Sequence, residues 1–301
     1  MPVTREPMLR ARAMVIRALR DELDSRGFIE VQTPLLVPGT CPDLGIRSFE
    51  VREGGYLVSS TEYQLKRLFA EGISAAYTLG PNFREGDQGR IHNPEFTMLE
   101  WGRAGATMGE VEGECESMVR RVAGRALGQE RWARVTVRDL IQRGFGVPVR
   151  DWSELVRIPG PLAGDDDAHL SWIIDTAVQR LDPEAPTWVV GWPAGMTASA
   201  GLDPSDPSVT QRSELFWKGL EICDGFPFVR AEDWQRARSA AENEARRAAG
   251  MAVVQQDERF LAAVAQLPEG AGMAMGVDRL CLAVLGGTSL CDVMTFGWDD
   301  R

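Results

Sequence analysis

Residues 83–101 read FREGDQGRIHNPEFTMLEW. Two apolar, strand-like ends flank a polar loop that gathers Arg84, Arg90 and His92, one of only two histidines in the chain. The neighbouring segments AAYTLGPNF (75–83) and PEFTMLEW (94–101) predict two strands joined as a hairpin, with Arg84 ending the first and Phe96 near the start of the second. A guanidinium offers a planar fork of donors that matches a phosphate, and a ring such as Phe96 can stack on a flat base. The same residues also describe a plain surface hairpin whose arginines pair with Glu85, Asp87 and Glu95. The loop alone leaves both readings open.

The rest of the chain limits what such a loop can serve. With 33 basic against 44 acidic residues and a net charge of −11, there is no general attraction for nucleic-acid phosphates. At 301 residues, 44% hydrophobic and 26% charged, the chain can bury a substantial core. Its five cysteines, Cys41, Cys115, Cys223, Cys281 and Cys291, show no C-x-x-C spacing and read as reduced cytosolic thiols. The start, MPVTREPMLRARAMVIRALRDEL, is too charged for a secretory signal, and no apolar run reaches membrane-spanning length. A cytoplasmic protein without a membrane partner is expected.

Working outward, apolar residues at helical spacing predict a helix over Met8–Arg26, ended by Gly27. FIEVQTPLLV (28–37) alternates as a strand until Pro34, and FEVREGGYLVSS (49–60) reads as a hairpin turning at Gly54–Gly55. A short helix follows over 61–72. Residues 108–180 are mostly helical in pattern, interrupted by a loop at PGPLAGDDDAHL (159–170). PTWVVGWP (186–193) returns to strand, and the charged helix at 231–250 reads as a solvated face. Strands recurring around helices, mostly joined by turns, predict an antiparallel sheet of the α+β kind.

Two further stretches carry chemistry. In SELFWKGLEICDGF (213–226), a hairpin centred between Trp217 and Lys218 places Glu214 directly opposite Glu221. Two such carboxylates repel unless a cation bridges them, and magnesium is the cation that prefers carboxylate and phosphate oxygen. A different register would instead turn one glutamate to solvent. In GVDRLCLAVLG (276–286), Gly276 permits close backbone approach, Asp278 is placed to cap the following helix, and Arg279 projects from its first turn.

Taken together, RGFIEVQTP (26–34), FREGDQGRIHNPEFTMLE (83–100) and GMAMGVDRL (272–280) resemble the three ordered motifs of class II aminoacyl-tRNA synthetases, and HNPEFTMLEW (92–101) is similar to the lysyl branch. The resemblance runs from about Met8 to Trp298. Lysyl synthetases carry an anticodon-binding barrel before the first motif, whereas here fewer than ten residues precede the first helix. The chain thus resembles the elongation factor P–lysine ligase family, truncated relatives that load a lysine-type amino acid onto a lysine of elongation factor P. SSTEYQLKRL (59–68) and FWKGLEICDGF (216–226) extend the match.

The resemblance implies a single class II synthetase-like catalytic domain over 1–301, with an antiparallel sheet flanked by helices and a mostly helical insertion near 105–185. It implies ATP and Mg2+, an amino acid substrate, elongation factor P as a partner in place of tRNA, and a homodimer with Pro34 near its interface. By motif position, Arg84 holds the α-phosphate and the substrate carboxylate, His92 and Asn93 line the nucleotide, and Phe96 stacks on adenine. Arg279 covers the other face of the base and reaches the terminal phosphate, with Gly276 leaving room. Glu221 and its neighbour Ile222 join the ATP site, and Glu214 and Glu221 hold magnesium. Ser60 and Glu62 belong to the amino-acid site, where Glu62 takes the α-amino group.

Three positions depart from the pattern. Gly86 stands where the motif has a glutamate, leaving Asp87 or Glu85 to substitute. Gly102 and Phe228 stand where the family has a tyrosine and a glutamate facing the distal amine, so Glu100 is left as the acceptor there. The alternatives are the same chemistry with a less polar amino acid passed to a small molecule or carrier, or a non-catalytic nucleotide- or amino-acid-binding paralogue.

Overall fold

Val15, Leu19 and Leu23 recur every fourth residue, and in the computed structural model they form the buried stripe of helix α1 (Glu6–Ser25). Truncating Leu19 or Leu23 to alanine costs about 2–5 kcal/mol at sites this closed. Gly27 ends the helix at φ +80°, a conformation glycine takes without a Cβ penalty. The structure describes residues 5–128, 130–161, 166–196 and 199–301. Residues 162–165 of the expected loop at 159–170 therefore lie outside the described residues, as do the first four residues of the chain.

The other elements, in chain order, are β1 (Ile29–Glu30), β2 (Leu36–Val37), β3 (Tyr56–Leu57), α2 (Glu62–Ala70), β4 (Ala75–Phe83) and β5 (Glu95–Ala104). Then come α3 (Met108–Ala123), β6 (Ala133–Thr136), α4 (Val137–Phe145), α5 (Asp166–Val178), β7 (Thr187–Val190), β8 (Ser213–Trp217) and β9 (Leu220–Pro227). The chain closes with α6 (Glu232–Ala248), α7 (Glu258–Val264), β10 (Gly270–Gly276) and α8 (Val277–Leu285).

Among the described residues, eight strands form one sheet in the order β1-β4-β5-β10-β9-β8-β7-β6. Its interior pairs are antiparallel, while both edge pairs, β1–β4 and β6–β7, are parallel. The predicted hairpin is present over its full length, from Ala75↔Arg103 to Phe83↔Glu95. The α+β class stands.

Alternation along the strands divides the sheet into two faces. Leu99, Trp101, Met273 and Met275 pack on one face into a core shared with α1, α3 and α8. Met98, Glu100, Gly102, Gly272, Ala274 and Gly276 lie on the other, the face over which α2 passes. A second apolar cluster gathers Val135, Ile141, Ile173, Ile174, Val189 and Trp192 within the middle of the chain. Within the segment expected to be mostly helical, β6 adds an edge strand, and it pairs with β7, which falls where the strand at 186–193 is expected.

Other local expectations change as well. The strand over 28–37 is reduced to β1 and β2, two residues each, because β1 is an edge strand with a single partner and Pro34 interrupts the run. The 49–60 hairpin keeps its Gly54–Gly55 turn but only one bridge, Glu50↔Tyr56; β3 pairs with β2 instead. Helix α6 is more than a solvated face. Its Arg246, 4% exposed, donates to the carbonyls of Asp43, Ile46 and Ala252 and so anchors the 43–46 loop.

Candidate active site

The cleft face of the sheet is built from rungs of directly paired residues. One rung runs Thr78–Glu100–Ala274–Asp224–Glu214 across five strands. The next runs Ala76–Gly102–Gly272–Phe226. Above them lies a cleft of ≈ 400 Å³ lined by Arg84, His92, Asn93, Phe96, Glu221, Ile222, Gly276 and Arg279, and by Ser60, Glu62, Glu100 and Phe228. Of the site residues assigned by motif position, Gly102 and Glu214 do not line it.

At the hairpin end, the Arg84 guanidinium lies 5.2 Å from the centre of the Phe96 ring. Its buried Nε has no hydrogen-bond partner among the described residues. An unpartnered buried donor costs free energy unless something fills the site, so Arg84 Nε is left open to an acceptor from outside the described residues. Arg279 reaches from α8 into the same cleft. Its Nη1 donates to the Glu221 carbonyl at 3.3 Å and to Glu221 Oε2 at 3.2 Å, and its Nη2 reaches His92 Nε2 at 2.8 Å. A guanidinium has no acceptor, so His92 Nε2 accepts and the ring is neutral with its proton on Nδ1. Loss of water around the ring, and then the Arg279 charge, hold the His92 pKa below its ordinary value.

Gly86 has a structural reason to be glycine. It lies at φ +82°, a left-handed kink that would strain the glutamate of the motif. Of its two candidate substitutes, Asp87 lines the cleft and Glu85 does not. Asn93 is occupied locally: its Oδ1 accepts the Trp298 N–H at 3.0 Å and its Nδ2 donates to the Glu95 carbonyl, pinning the loop to the C-terminal segment. A Cβ at Gly276 would make only ordinary contacts with Arg279, at 3.7 Å or more, so crowding does not demand the glycine.

The hairpin of β8 and β9 turns at Lys218–Gly219, one residue later than expected, with both residues at positive φ. A register shift at Leu215/Phe216 then places Glu214 opposite Asp224, not opposite Glu221. Arg212 fills the space between the facing acids, 2.6 Å from Glu214 and 3.0 Å from Asp224. Burial alone would lower the Arg212 pKa, but Asp224 and Glu214 outweigh it and the net shift is upward. Burial pushes the Glu214 carboxyl well up, and repulsion from Glu221 and Asp224 adds to this despite Arg212. Asp224 is raised too, by burial first, with Glu221 adding to it against the pull of Arg212. Three acids are met here by two arginines, Arg212 on Glu214 and Asp224 and Arg279 on Glu221, which leaves them one positive charge short. That donor set suits a hard cation held by one or two carboxylates and completed by phosphate oxygens, as Mg2+ is commonly bound.

At the other end, Glu62 opens α2 and is paired with Lys66 one turn on. Glu100 differs from expectation. It is 4% exposed and accepts from Ser60 Oγ, the Thr61 N–H and Thr61 Oγ1, so it fixes the start of α2 and is not a free acceptor for a distal amine. Burial raises its pKa even against these donors. Asp278 does not cap α8; it accepts the Thr97 N–H at 2.7 Å and pairs with Arg12 at 2.6 Å.

Lys66, Arg212, Asp224 and Phe69 also line the cleft, and the sequence reading passed over them. Arg212 carried a signal: it lies two residues before Glu214 and so on the same strand face. Lys66 lies one helical turn after Glu62.

Comparison with known proteins fits this geometry. The family model described as tRNA synthetases class II (D, K and N) matches residues 4–300. The chain is similar to the elongation factor P–(R)-β-lysine ligase of Vibrio cholerae serotype O1, 33% identical over 317 residues that cover 98% of this chain and 97% of the relative. The ligase of the same name from Photorhabdus laumondii is 33% identical over 306 residues, covering 95% and 93%. That of Klebsiella pneumoniae is 32% identical over 314 residues, covering 97% and 95%.

Proposed function

The chain is a ligase of the class II tRNA synthetase family, in its elongation factor P–lysine ligase branch, and we propose that it activates an amino acid with ATP and passes it to a protein lysine. The observation that carries the reading is the convergence of Arg84, Phe96, Arg279, Glu221 and Glu62, from five separate elements or loops, on one cleft.

In the first step an oxygen of the amino acid carboxylate attacks the α-phosphorus of ATP. The bond from that phosphorus to the bridging oxygen breaks, and pyrophosphate leaves. In the second step the acceptor amine attacks the carbonyl carbon of the aminoacyl-adenylate, AMP leaves, and the amine loses a proton. Neither step needs covalent catalysis by the protein, so positioning and charge stabilisation are its tasks.

Arg84, with its unpartnered Nε, supports a role between the entering carboxylate and the α-phosphate. Phe96 offers its ring to the adenine, and Arg279, steadied by Glu221 and His92, is placed for the terminal phosphates. Glu62 is the acceptor for the substrate amino group, exchanging its present partner Lys66 for a shared contact. Glu221, with Glu214 or Asp224 behind it, is the set for Mg2+, which when bound supplies charge neutralisation along the phosphates.

The relatives are named for elongation factor P and (R)-β-lysine, so that protein and a lysine-type amino acid are the first acceptor and substrate to test. The net charge of −11 supports a protein acceptor over tRNA. No helix among the described residues is long and apolar enough to cross a membrane, which agrees with the cytoplasmic setting of such an acceptor. Exposed Ile29 on the β1 edge and exposed Leu35 and Leu36 beside Pro34 are apolar, and a second copy of the chain would cover them. A single-chain species in sedimentation would remove the homodimer.

The direct test of the function is amino-acid-dependent exchange of labelled pyrophosphate into ATP in the presence of magnesium. Exchange is expected with at least one amino acid; none with any would overturn the reading.

A further inference from the structure

Beside Glu100, the cleft floor is flattened by small residues: Ala76, Gly102 and Gly272 occupy neighbouring positions on β4, β5 and β10. The trough they leave is filled. Phe69 from α2 and Phe228, just past β9, stack over it with ring centres 5.3 Å apart and planes 17° from parallel. The fit is close. A Cβ on Gly102 would lie 2.8 Å from Phe69 and 3.2 Å from Phe228, and a Cβ on Gly270 or Gly272 would meet the Phe228 ring at 2.7 or 3.2 Å. Phe228 is held in place by its backbone, whose N–H donates to the Gly270 carbonyl at 2.8 Å. Leu65, Ala76 and Leu267 complete the apolar cluster behind the two rings.

Charged groups border this end, and each already has its partner. Glu100 is taken up by Ser60 and Thr61. Asp224 is bound by Arg212. The Lys66 ammonium, 4% exposed, pairs with Glu62 and lies 5.3 Å from the Phe226 ring centre and 5.8 Å from that of Phe228. A substrate side chain ending in an ammonium would thus bring a second cation towards Lys66 and lose its water without gaining a free carboxylate. An apolar side chain loses nothing there and buries its surface against two rings.

We propose that the side-chain subsite of this cleft selects a neutral, apolar amino acid over one with a distal ammonium, with Phe228 and the Phe69 ring it stacks on as the specificity-determining residues. The proposal rests on the adenylation reading above and names the substrate class of that same site.

The test is pyrophosphate exchange by the full chain with lysine, (R)-β-lysine and each neutral apolar amino acid in turn. At least one apolar amino acid is expected to give a kcat/KM ten or more times that of lysine and of β-lysine. Faster exchange with lysine or β-lysine overturns the selectivity while leaving the ligase reading intact; exchange with no amino acid removes the ligase reading and this inference with it. Phe228→Glu, which supplies the missing carboxylate beside Lys66, is expected to shift the ratio at least tenfold towards the ammonium-bearing amino acids. An unchanged ratio in the folded variant overturns the role of Phe228. If that variant does not fold, Phe228→Leu opens the stack without adding charge and is expected to change KM among apolar amino acids more than kcat; unchanged KM values overturn the role equally.

Discussion

Arg12 on α1 and Asp278 on α8, from opposite ends of the chain, form a buried ion pair at 2.6 Å. The Asp278 carboxylate also accepts the Thr97 N–H of β5, and Arg12 Nη2 donates to Thr97 Oγ1 at 3.0 Å. One carboxylate therefore ties together the helix that precedes the first motif, the hairpin of the second and the strand–helix unit of the third, and it adjoins Arg279 in sequence. Asp278→Ala leaves Arg12 buried without its partner, a change that costs about 3–5 kcal/mol. Urea denaturation measures it, and a loss under about 1 kcal/mol would show that the pair is not what joins the motifs.

Arg84→Ala is expected to lower pyrophosphate exchange by about 10²–10³-fold, the usual loss for one preorganised donor at a reacting centre. Its circular dichroism should match the parent, and its stability in urea should fall by no more than the Phe96 contact is worth, about 0.5–1 kcal/mol, because Nε has no partner to lose. Undiminished exchange removes Arg84 from the proposed role.

Acidification should weaken the contact between His92 and Arg279. Its folded pKa is depressed, so the unfolded chain takes up the proton at higher pH than the native one. The contribution of His92 to stability is therefore present above the ordinary imidazole value and lost as pH falls below it. Once protonated, the ring can no longer accept from Arg279 and repels it. Stability measured by urea denaturation between about pH 5 and 8 should fall on the acid side, and His92→Gln should flatten the part of that fall due to this ring. An equally steep profile in the variant would place the titration elsewhere.

Gly102→Ala should destabilise the protein by about 1–3 kcal/mol, since its Cβ would press on Phe69 and Phe228. Adding Phe69→Leu, which withdraws one of the two rings, should recover part of that loss as a measurable coupling in a double-mutant cycle. Strictly additive losses would mean that the glycine and the ring do not share the space.

Much of this protein is legible along the chain because it depends on neighbours in sequence. The α1 stripe and the β4–β5 hairpin with Arg84 and Phe96 at its mouth follow from periodicity and turn chemistry, and both appear where expected. The order and spacing of the motifs likewise pointed to the family before any contact was known. Only the folded chain decided which side chains remain free to act. The Glu214–Glu221 pairing failed because the turn moved by one residue and a register shift intervened, so Glu214 met Asp224 and Arg212 instead. Glu100 was placed correctly and was nevertheless spent on Ser60 and Thr61. Gly102 and Phe228, far apart in sequence, became a single feature once Phe69 stacked over the floor. Such outcomes depend on contacts between distant segments, each competing for the same donors and the same volume, and local sequence does not encode who wins that competition.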